Sequence, residues 1–153
     1  MFVGAHYTYA RMPLFDWIRD YLGQDRNNFD KLGHFVQGIL PVVIAREIFI
    51  RQRIVRNFHW ISFISFCICL ATTSFYELIE FVAASIADET PVNFLGTQGY
   101  VWDSQTDMLF AAFGGLFTLF FVRKAHDHWI EKEFPGTFEK FSRLASEADS
   151  STR

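Results

Sequence analysis

The segment Trp60–Tyr76, WISFISFCICLATTSFY, decides the fold class because it contains no charged residue. The apolar run continues as ELIEFVAA to Ala84. A helix rises about 1.5 Å per residue and a bilayer core is about 30 Å thick, so about 20 apolar residues cross it. Between its aromatic ends the segment offers only Ser, Thr and Cys as polar residues, not the polar stripe of a soluble amphipathic helix. We therefore predict a transmembrane helix at 60–84.

Two further segments are predicted to span the membrane. Leu32–Ile50 contains Pro41, which should kink the helix, and Arg46, which we expect to snorkel to the interface. Met108–Val122 is shorter and needs the preceding turn to complete a crossing. The fold class is thus an all-α polytopic transmembrane bundle with three spans. The alternative is three buried helices of a soluble bundle, where shorter apolar runs are common.

The composition of the 153 residues excludes several classes of protein. Half of the chain is apolar and a fifth is charged, which is incompatible with intrinsic disorder. A net charge of −3 provides no basic field, so we expect membrane lipids and no nucleic acid as partners. Cys67 and Cys69 lie two apart, which fits no zinc motif, and we interpret them as packing residues.

Charged residues in the loops predict the orientation of the spans. The segment Ala45–Trp60, which joins the first two spans, carries four arginines, whereas residues 84–102 contain no Lys or Arg. Short cytoplasmic loops carry the excess of basic residues, so the arginine loop should be cytoplasmic and the N-terminus outside. Residues 1–29 contain no span and no signal peptide that could carry them across. Upstream helices missing from this chain would explain that topology, and a homo-oligomer is a further expected form of partner.

The segments flanking the spans are predicted to be amphipathic helices. After Pro13, apolar residues recur at helical spacing to Leu22, which favours a helix lying on the outer membrane surface over a soluble docking helix. We predict a transmembrane domain at 1–125, followed at 126–153 by a cytoplasmic helix that breaks at Pro135 and Gly136 and a disordered polar tail. His126 and His128 are expected to be solvated rather than to form a two-His metal site.

Ionisable residues cluster at the predicted outer end of every span. They occur in pairs three or four residues apart, which places each pair on one helix face. If these faces turn inward, five carboxylates and one imidazole meet: Asp30, His34, Glu77, Glu80, Asp103 and Asp107. With only Lys31 nearby in sequence, their repulsion requires protonation, a basic partner or a bound cation.

The residue types of this cluster indicate a metal site, with alternatives left open. His with carboxylates suits Zn, Mn or Fe, and carboxylates alone suit Mg or Ca. Solvated charges at helix ends are the alternative, and Asp30 and Asp103 at helix N-termini fit it. Glu77 and Glu80 do not, because apolar residues follow them. An ionisable residue within a span indicates a functional site.

We expect a divalent cation as cofactor and His34 or Glu77 as general base. The predicted function is an envelope enzyme acting on a lipid or lipid-linked phosphate. A proton- or cation-coupled transporter or channel subunit, and a structural membrane protein without catalysis, are the alternatives, so the sequence leaves enzymatic activity open. Ala111, Gly114 and Gly115 should let the third span approach a neighbour closely.

Four separated motifs resemble those of the YjdF-like family of bacterial inner membrane proteins. They are GAHYTYARMPL, RNNFDKLGHFVQG, FYELIEF and FLGTQGYVWDSQTDM, between about Gly4 and Val122. The resemblance implies a multi-pass protein of the bacterial inner membrane, with further helices before the HYTY segment. A looser resemblance links Asp30, Lys31, His34 and the acidic turn of the second span to VanZ-like membrane proteins, which usually have Glu and Gln where this chain has Glu77 and Glu80. Neither resemblance implies a reaction.

Overall fold

The structure is a computed structural model that describes residues 12–87 and 100–151. Most of the predicted outer loop and the first part of the predicted N-terminal segment lie outside the described residues. The described residues form six α-helices and one π-helical segment: α1 Pro13–Leu22, α2 Phe29–Gln52, α3 Phe58–Ala87, α4 Asp103–Phe117, the π segment Thr118–Val122, α5 Arg123–Glu133 and α6 Thr137–Ser151.

Three stretches of helix are long and apolar enough to cross a membrane, which confirms the all-α fold class with three spans. They are Phe29–Gln52, Phe58–Ala83 and Asp103–Glu133. Large apolar side chains face outward on them; Phe75, Phe81 and Phe120 are 65%, 66% and 74% exposed. A soluble bundle would bury such side chains, since their transfer from water is what drives its folding. The outward faces therefore fit lipid contact and not a soluble core.

Small residues bring the backbones of α2 and α4 together. A Cβ atom added at Gly38 would overlap the backbone of Ala111, and one added at Gly114 would overlap the backbone of Phe35. Such close approach is how helices pack tightly in membranes. The predicted role of the small residues on the third span is confirmed. The α3 helix packs against both partners, with buried Cys69 beside Gly115, while Cys67 is exposed.

Helix α1 forms as predicted at Pro13–Leu22, with proline in its first turn. Gly23 ends it in the left-handed conformation, with φ of 63°, and its N–H donates to the carbonyl of Asp20. Leu14, Trp17 and Tyr21 are more than half exposed, so the apolar face of α1 is not covered by the described bundle. Its location on the membrane surface remains a prediction.

The third span extends further than the sequence predicted. It passes through residue 125 without a break, because the π segment continues α4 directly into α5. The backbone turns at residues 134–136, where Gly136 has a φ of 78°, so the predicted break at Pro135 and Gly136 is confirmed. Helix α6 then continues to Ser151, beyond the start of the predicted disordered tail, and its Phe141 packs with Ile50, Ile61 and Ile130.

Two predictions about polar side chains near the arginine loop were wrong. Arg46 does not snorkel: it is 1% exposed and donates a 2.7 Å hydrogen bond to Asp127 Oδ1. His126 is not solvated, since its side chain is 11% exposed and its Nε2 lies 3.5 Å from Glu47 Oε2. Both differences have one cause, the continuation of the third span into α5, which provides partners for side chains of α2. His128 is exposed as predicted.

Candidate functional site

The candidate site lies at one end of the bundle, where α2 and α4 begin and α3 approaches its C-terminus. We call this the carboxylate end, after Asp30, Glu77 and Asp103 on the three helices. The opposite end, which contains Arg46 and Arg123, is the arginine end. Because α3 runs antiparallel to α2 and α4, acidic turns that are far apart in the sequence come to the same level.

A buried ion-pair network occupies one half of the carboxylate end. Lys31 Nζ lies 2.7 Å from Asp107 Oδ1, 3.0 Å from Asp103 Oδ1 and 3.4 Å from Asp30 Oδ2. Arg26 donates to Asp103 Oδ1 at 2.7 Å and to Asp30 Oδ2 at 2.5 Å. We call these five residues the lysine network. Buried charges of opposite sign in this geometry offset much of the cost of removing them from water.

The sequence analysis missed Arg26 as part of the site. Arg26 belongs to the linker between α1 and α2, and no helical periodicity points to it. Its one signal is the four-residue spacing to Asp30, with which it forms an ion pair at the start of α2. Asn27 holds the linker in place, since its amide donates to the Met12 carbonyl and to Asp16. The guanidinium of Arg26 also lies 5.3 Å from the centroid of the Tyr100 ring, which covers it.

The other half of the carboxylate end contains His34, Glu77 and Asp107, which we call the His34 triad. His34 Nε2 lies 3.6 Å from Asp107 Oδ2 and 3.8 Å from Glu77 Oε1. All three side chains are at least nine-tenths buried, with exposures of 9%, 9% and 5%. These separations exceed hydrogen-bonding distance. The triad therefore brings three polar groups together without joining them.

Two atoms of the triad have no hydrogen-bond partner among the described residues. They are His34 Nδ1 and Glu77 Oε1, and both are buried. A buried polar atom left unpaired costs about 1–3 kcal/mol, so each such atom in a folded protein requires an explanation. A ligand between the three side chains would satisfy the Glu77 oxygen.

The dimensions of the triad fit a metal ion. In a tetrahedral zinc site with ligand distances of about 2.0–2.2 Å, neighbouring ligand atoms are about 3.3–3.6 Å apart. The triad's separations from His34 Nε2, 3.6 and 3.8 Å, are close to that range. One ligand atom from each residue can be chosen so that all three lie within 4.8 Å of one another. Three protein ligands would leave one coordination position for water or substrate.

A second group of carboxylates, Asp30, Asp103 and Asp107, satisfies the same distance criterion. Its centre differs from that of the triad because Lys31 Nζ already lies within 3.4 Å of all three residues. The ammonium takes the place that a cation would take. The three aspartates are thus neutralised at least in part by cations of the chain itself, whereas Glu77 of the triad has no such cation beside it among the described residues.

Asp107 connects the two halves. Its Oδ1 accepts a hydrogen bond from Lys31, and its Oδ2 is the oxygen nearest His34. Carboxylates that bind metals are commonly oriented by hydrogen bonds of this kind. Lys31 is therefore placed to fix the orientation of Asp107 toward the triad.

The structure brings five of the six predicted site residues into these two groups. Glu80 belongs to neither group; it lies three residues beyond Glu77 on α3 and is partly buried. Its role as a metal ligand therefore stays a prediction, since neither group includes it. Tyr76, directly before Glu77, packs edge-on against the His34 ring, with ring centroids 6.0 Å apart.

Comparisons with known proteins agree on the family. The model of a family described as a predicted membrane protein, DUF2238, matches residues 1–128. The inner membrane protein YjdF of Escherichia coli (strain K12) is 44% identical over 126 residues, which are 82% of this chain and 60% of that relative. The chain thus spans about three fifths of the relative's length, and no solved structure matches it. The predicted resemblance to YjdF-like proteins and the inner-membrane location are confirmed. This chain belongs to the DUF2238 family of predicted membrane proteins.

Proposed function

We propose that the protein holds a divalent cation in the His34 triad and uses it to act on the phosphate of a lipid or lipid-linked substrate in the cell envelope. The observation that carries the proposal is the geometry of the triad. Its two buried carboxylates lie 3.6 and 3.8 Å from His34 Nε2, too far for a hydrogen bond and close to the spacing of ligands around one ion.

The charges at the carboxylate end favour a cation of charge two. The lysine network and the triad together contain four carboxylates, from Asp30, Glu77, Asp103 and Asp107, and two cations, Arg26 and Lys31. With His34 neutral and the carboxylates ionised, two negative charges are left. Unpaired charges of like sign in a buried site are strongly unfavourable. A divalent cation would neutralise both.

The ligand types narrow the choice of ion to zinc, manganese or iron. An imidazole nitrogen with two carboxylate oxygens suits these transition metals, whereas Mg²⁺ and Ca²⁺ prefer oxygen ligands alone. His34 therefore distinguishes the triad from an all-carboxylate site.

The position of the triad favours a substrate whose phosphate lies at the membrane surface. It lies at the ends of three apolar spans, at the level where the bilayer core gives way to headgroups. A cation there would polarise a phosphoryl oxygen or activate a bound water. Lys31 would keep Asp107 oriented, and the oxygen of Glu77 that does not hold the ion would accept the proton of that water. By the distribution of arginines, this end faces outward.

The second candidate, a proton- or cation-coupled transporter, rests on the ionisable groups buried at both ends of α2. Lys31 and His34 are at one end, and Arg46 is at the other. Between them, buried Thr73 and Thr118 donate hydrogen bonds to carbonyls of their own helices. Because these hydroxyls are already hydrogen-bonded, they are poorer ligands for an ion crossing the bundle than the triad is for a bound ion. This difference favours the enzyme over the transporter.

The test is metal analysis of the purified full chain after incubation with Zn²⁺ or Mn²⁺, for the wild type and three variants. We expect about one bound ion per chain in the wild type, as for a single site, and its loss in Glu77→Gln and His34→Ala. Glu80→Gln is the matched control, because it makes the same chemical change one turn along α3, and it should keep the ion. No ion in the wild type, or equal retention by Glu77→Gln and Glu80→Gln, would refute the site.

The catalytic part of the proposal is tested separately with a polyprenyl phosphate in vesicles. We expect the metal-loaded wild type to release inorganic phosphate and the Glu77→Gln variant to lose that activity. A wild type that binds the ion but leaves the phosphate intact would retain the metal site and overturn the reaction, leaving ion transport to be measured in the same vesicles.

A further inference from the structure

A pocket of about 550 Å³ lies at the arginine end, on the far side of the bundle from the His34 triad. Four helices contribute to it: α2, α3, α5 and α6. Its lining consists of three cations, two carboxylates and two aromatic rings: Arg46, Arg123, Lys124, Asp127, Glu131, Phe58 and Phe138. The proposed function uses none of these residues.

Both carboxylates of the pocket already have partners. Asp127 Oδ1 accepts a 2.7 Å hydrogen bond from Arg46. Glu131 accepts hydrogen bonds from the backbone N–H groups of Gly136 and Phe138, at 2.7 and 3.1 Å, and so holds the turn into α6. The acidic groups of the pocket are therefore engaged in holding the fold together.

Two cations of the pocket have no ion-pair partner among the described residues. Arg123 and Lys124 are exposed, and neither forms an ion pair with any residue that the structure describes. Beside them Arg46 is 1% exposed, and its Nε has no hydrogen-bond partner in the described part of the chain. A buried guanidinium N–H without a partner indicates a missing acceptor.

The pocket also has an apolar wall. Phe58 packs against Phe138 with ring centroids 6.0 Å apart and an angle of 13° between the rings. An occupant would thus meet cations on one side and aromatic rings on the other. Anionic headgroups of lipids have this character, and basic pockets between transmembrane helices bind them.

We infer that this pocket binds a phosphate group, carried by an anionic lipid headgroup or by free phosphate. Arg123 and Lys124 provide the two unpaired positive charges for it, and Arg46 Nε provides a donor at the base of the pocket. Guanidinium groups suit phosphate because their fixed N–H groups match its oxygens. The loop arginines predict that this end faces the cytoplasm, whose leaflet carries anionic lipids.

The experiment compares two double variants of the full chain in detergent. Arg123→Gln with Lys124→Gln removes the two unpaired cations of the pocket. Arg56→Gln with Lys140→Gln removes two exposed cations that do not line it. Both pairs are at the surface, and circular dichroism verifies that each variant keeps its helices.

Two probes distinguish the sources of the phosphate. Titration calorimetry measures the binding of inorganic phosphate, and native mass spectrometry measures the retention of phosphatidylglycerol against phosphatidylcholine. We expect the pocket variant to weaken binding roughly thirty-fold, as for two cations facing an anionic headgroup, and the control variant to stay within about threefold. Binding of phosphatidylglycerol without inorganic phosphate would identify a lipid ligand; binding of both would identify a general phosphate site.

The inference would be overturned if the wild type bound neither probe, or if the pocket and control variants lost binding equally. Neither result would bear on the His34 triad, since the pocket shares no residue with it.

Discussion

The two ends of the bundle each bury a cation of α2 against a carboxylate, but they differ in the charge that remains. At the carboxylate end Lys31 is paired with three aspartates, and Glu77 is left over. At the arginine end Arg46 is paired with Asp127, and the pocket keeps two free cations. Lys31 and Arg46 are fifteen residues apart, about 22 Å along a helix. Ion pairs within the chain hold the helices together at both ends. The charges left without a partner at each end indicate the sign of the charge on the ligand expected there.

The largest effect should come from breaking the pairing at the carboxylate end. Lys31→Met leaves three aspartates around an apolar side chain, and removing one partner of a buried ion pair costs about 3–5 kcal/mol. Denaturant unfolding in mixed micelles, followed by circular dichroism, measures the change. Arg143→Gln is the control, because its pair with Glu139 on α6 is exposed and worth about 0.3–0.5 kcal/mol. If both variants lost the same stability, the lysine network would not be a buried one.

The corresponding change at the arginine end should be smaller. Arg46→Met also removes a buried cation, but its partner Asp127 is 26% exposed and can turn to water. We expect a loss of about 1–3 kcal/mol, the cost of a buried hydrogen-bonding group left unmatched. The same unfolding assay measures it. A loss larger than that of Lys31→Met would reverse the comparison between the two ends.

The backbone contact between α2 and α4 at Gly38 should also affect stability, by a similar or smaller amount. Gly38 lies between Lys31 and Arg46, and Gly38→Ala forces α2 away from the backbone of Ala111. Overpacking of this kind costs about 1–3 kcal/mol. Gly115→Ala is the matched control, because its added Cβ meets side chains, Cys69 Sγ at 3.1 Å and Phe66 Cδ2 at 3.2 Å, which can shift. Equal unfolding transitions for the two variants would contradict the backbone contact.

The spans were predictable because they depend on local composition. The absence of charge in Trp60–Tyr76 favours a transmembrane helix on local composition alone. The convergence of His34, Glu77 and Asp107 was also within reach, since spacing along each helix determines which residues share a face. Because each span carries its ionisable residues at the same end of the bundle, the three helix faces meet at one level.

The pairing of charges was not predictable, because it depends on contacts between distant parts of the chain. Asp127 is 81 positions from Arg46, and Arg26 is 77 positions from Asp103. Sequence reasoning therefore placed Arg46 at the interface and overlooked Arg26. The π segment Thr118–Val122 has no signature in its residues, yet it carries the third span on into α5, where Asp127 meets Arg46. π-Helical segments are rare and are frequently found at functional sites.

The central claim is that His34 is a ligand to a cation that the chain's own lysine and arginine do not replace. X-ray absorption at the zinc edge of the zinc-loaded wild type tests it most directly. We predict one imidazole nitrogen and carboxylate oxygens at about 2.0–2.2 Å, with the imidazole signal absent in His34→Ala. An all-oxygen shell in the wild type, or one unchanged by His34→Ala, would contradict the account.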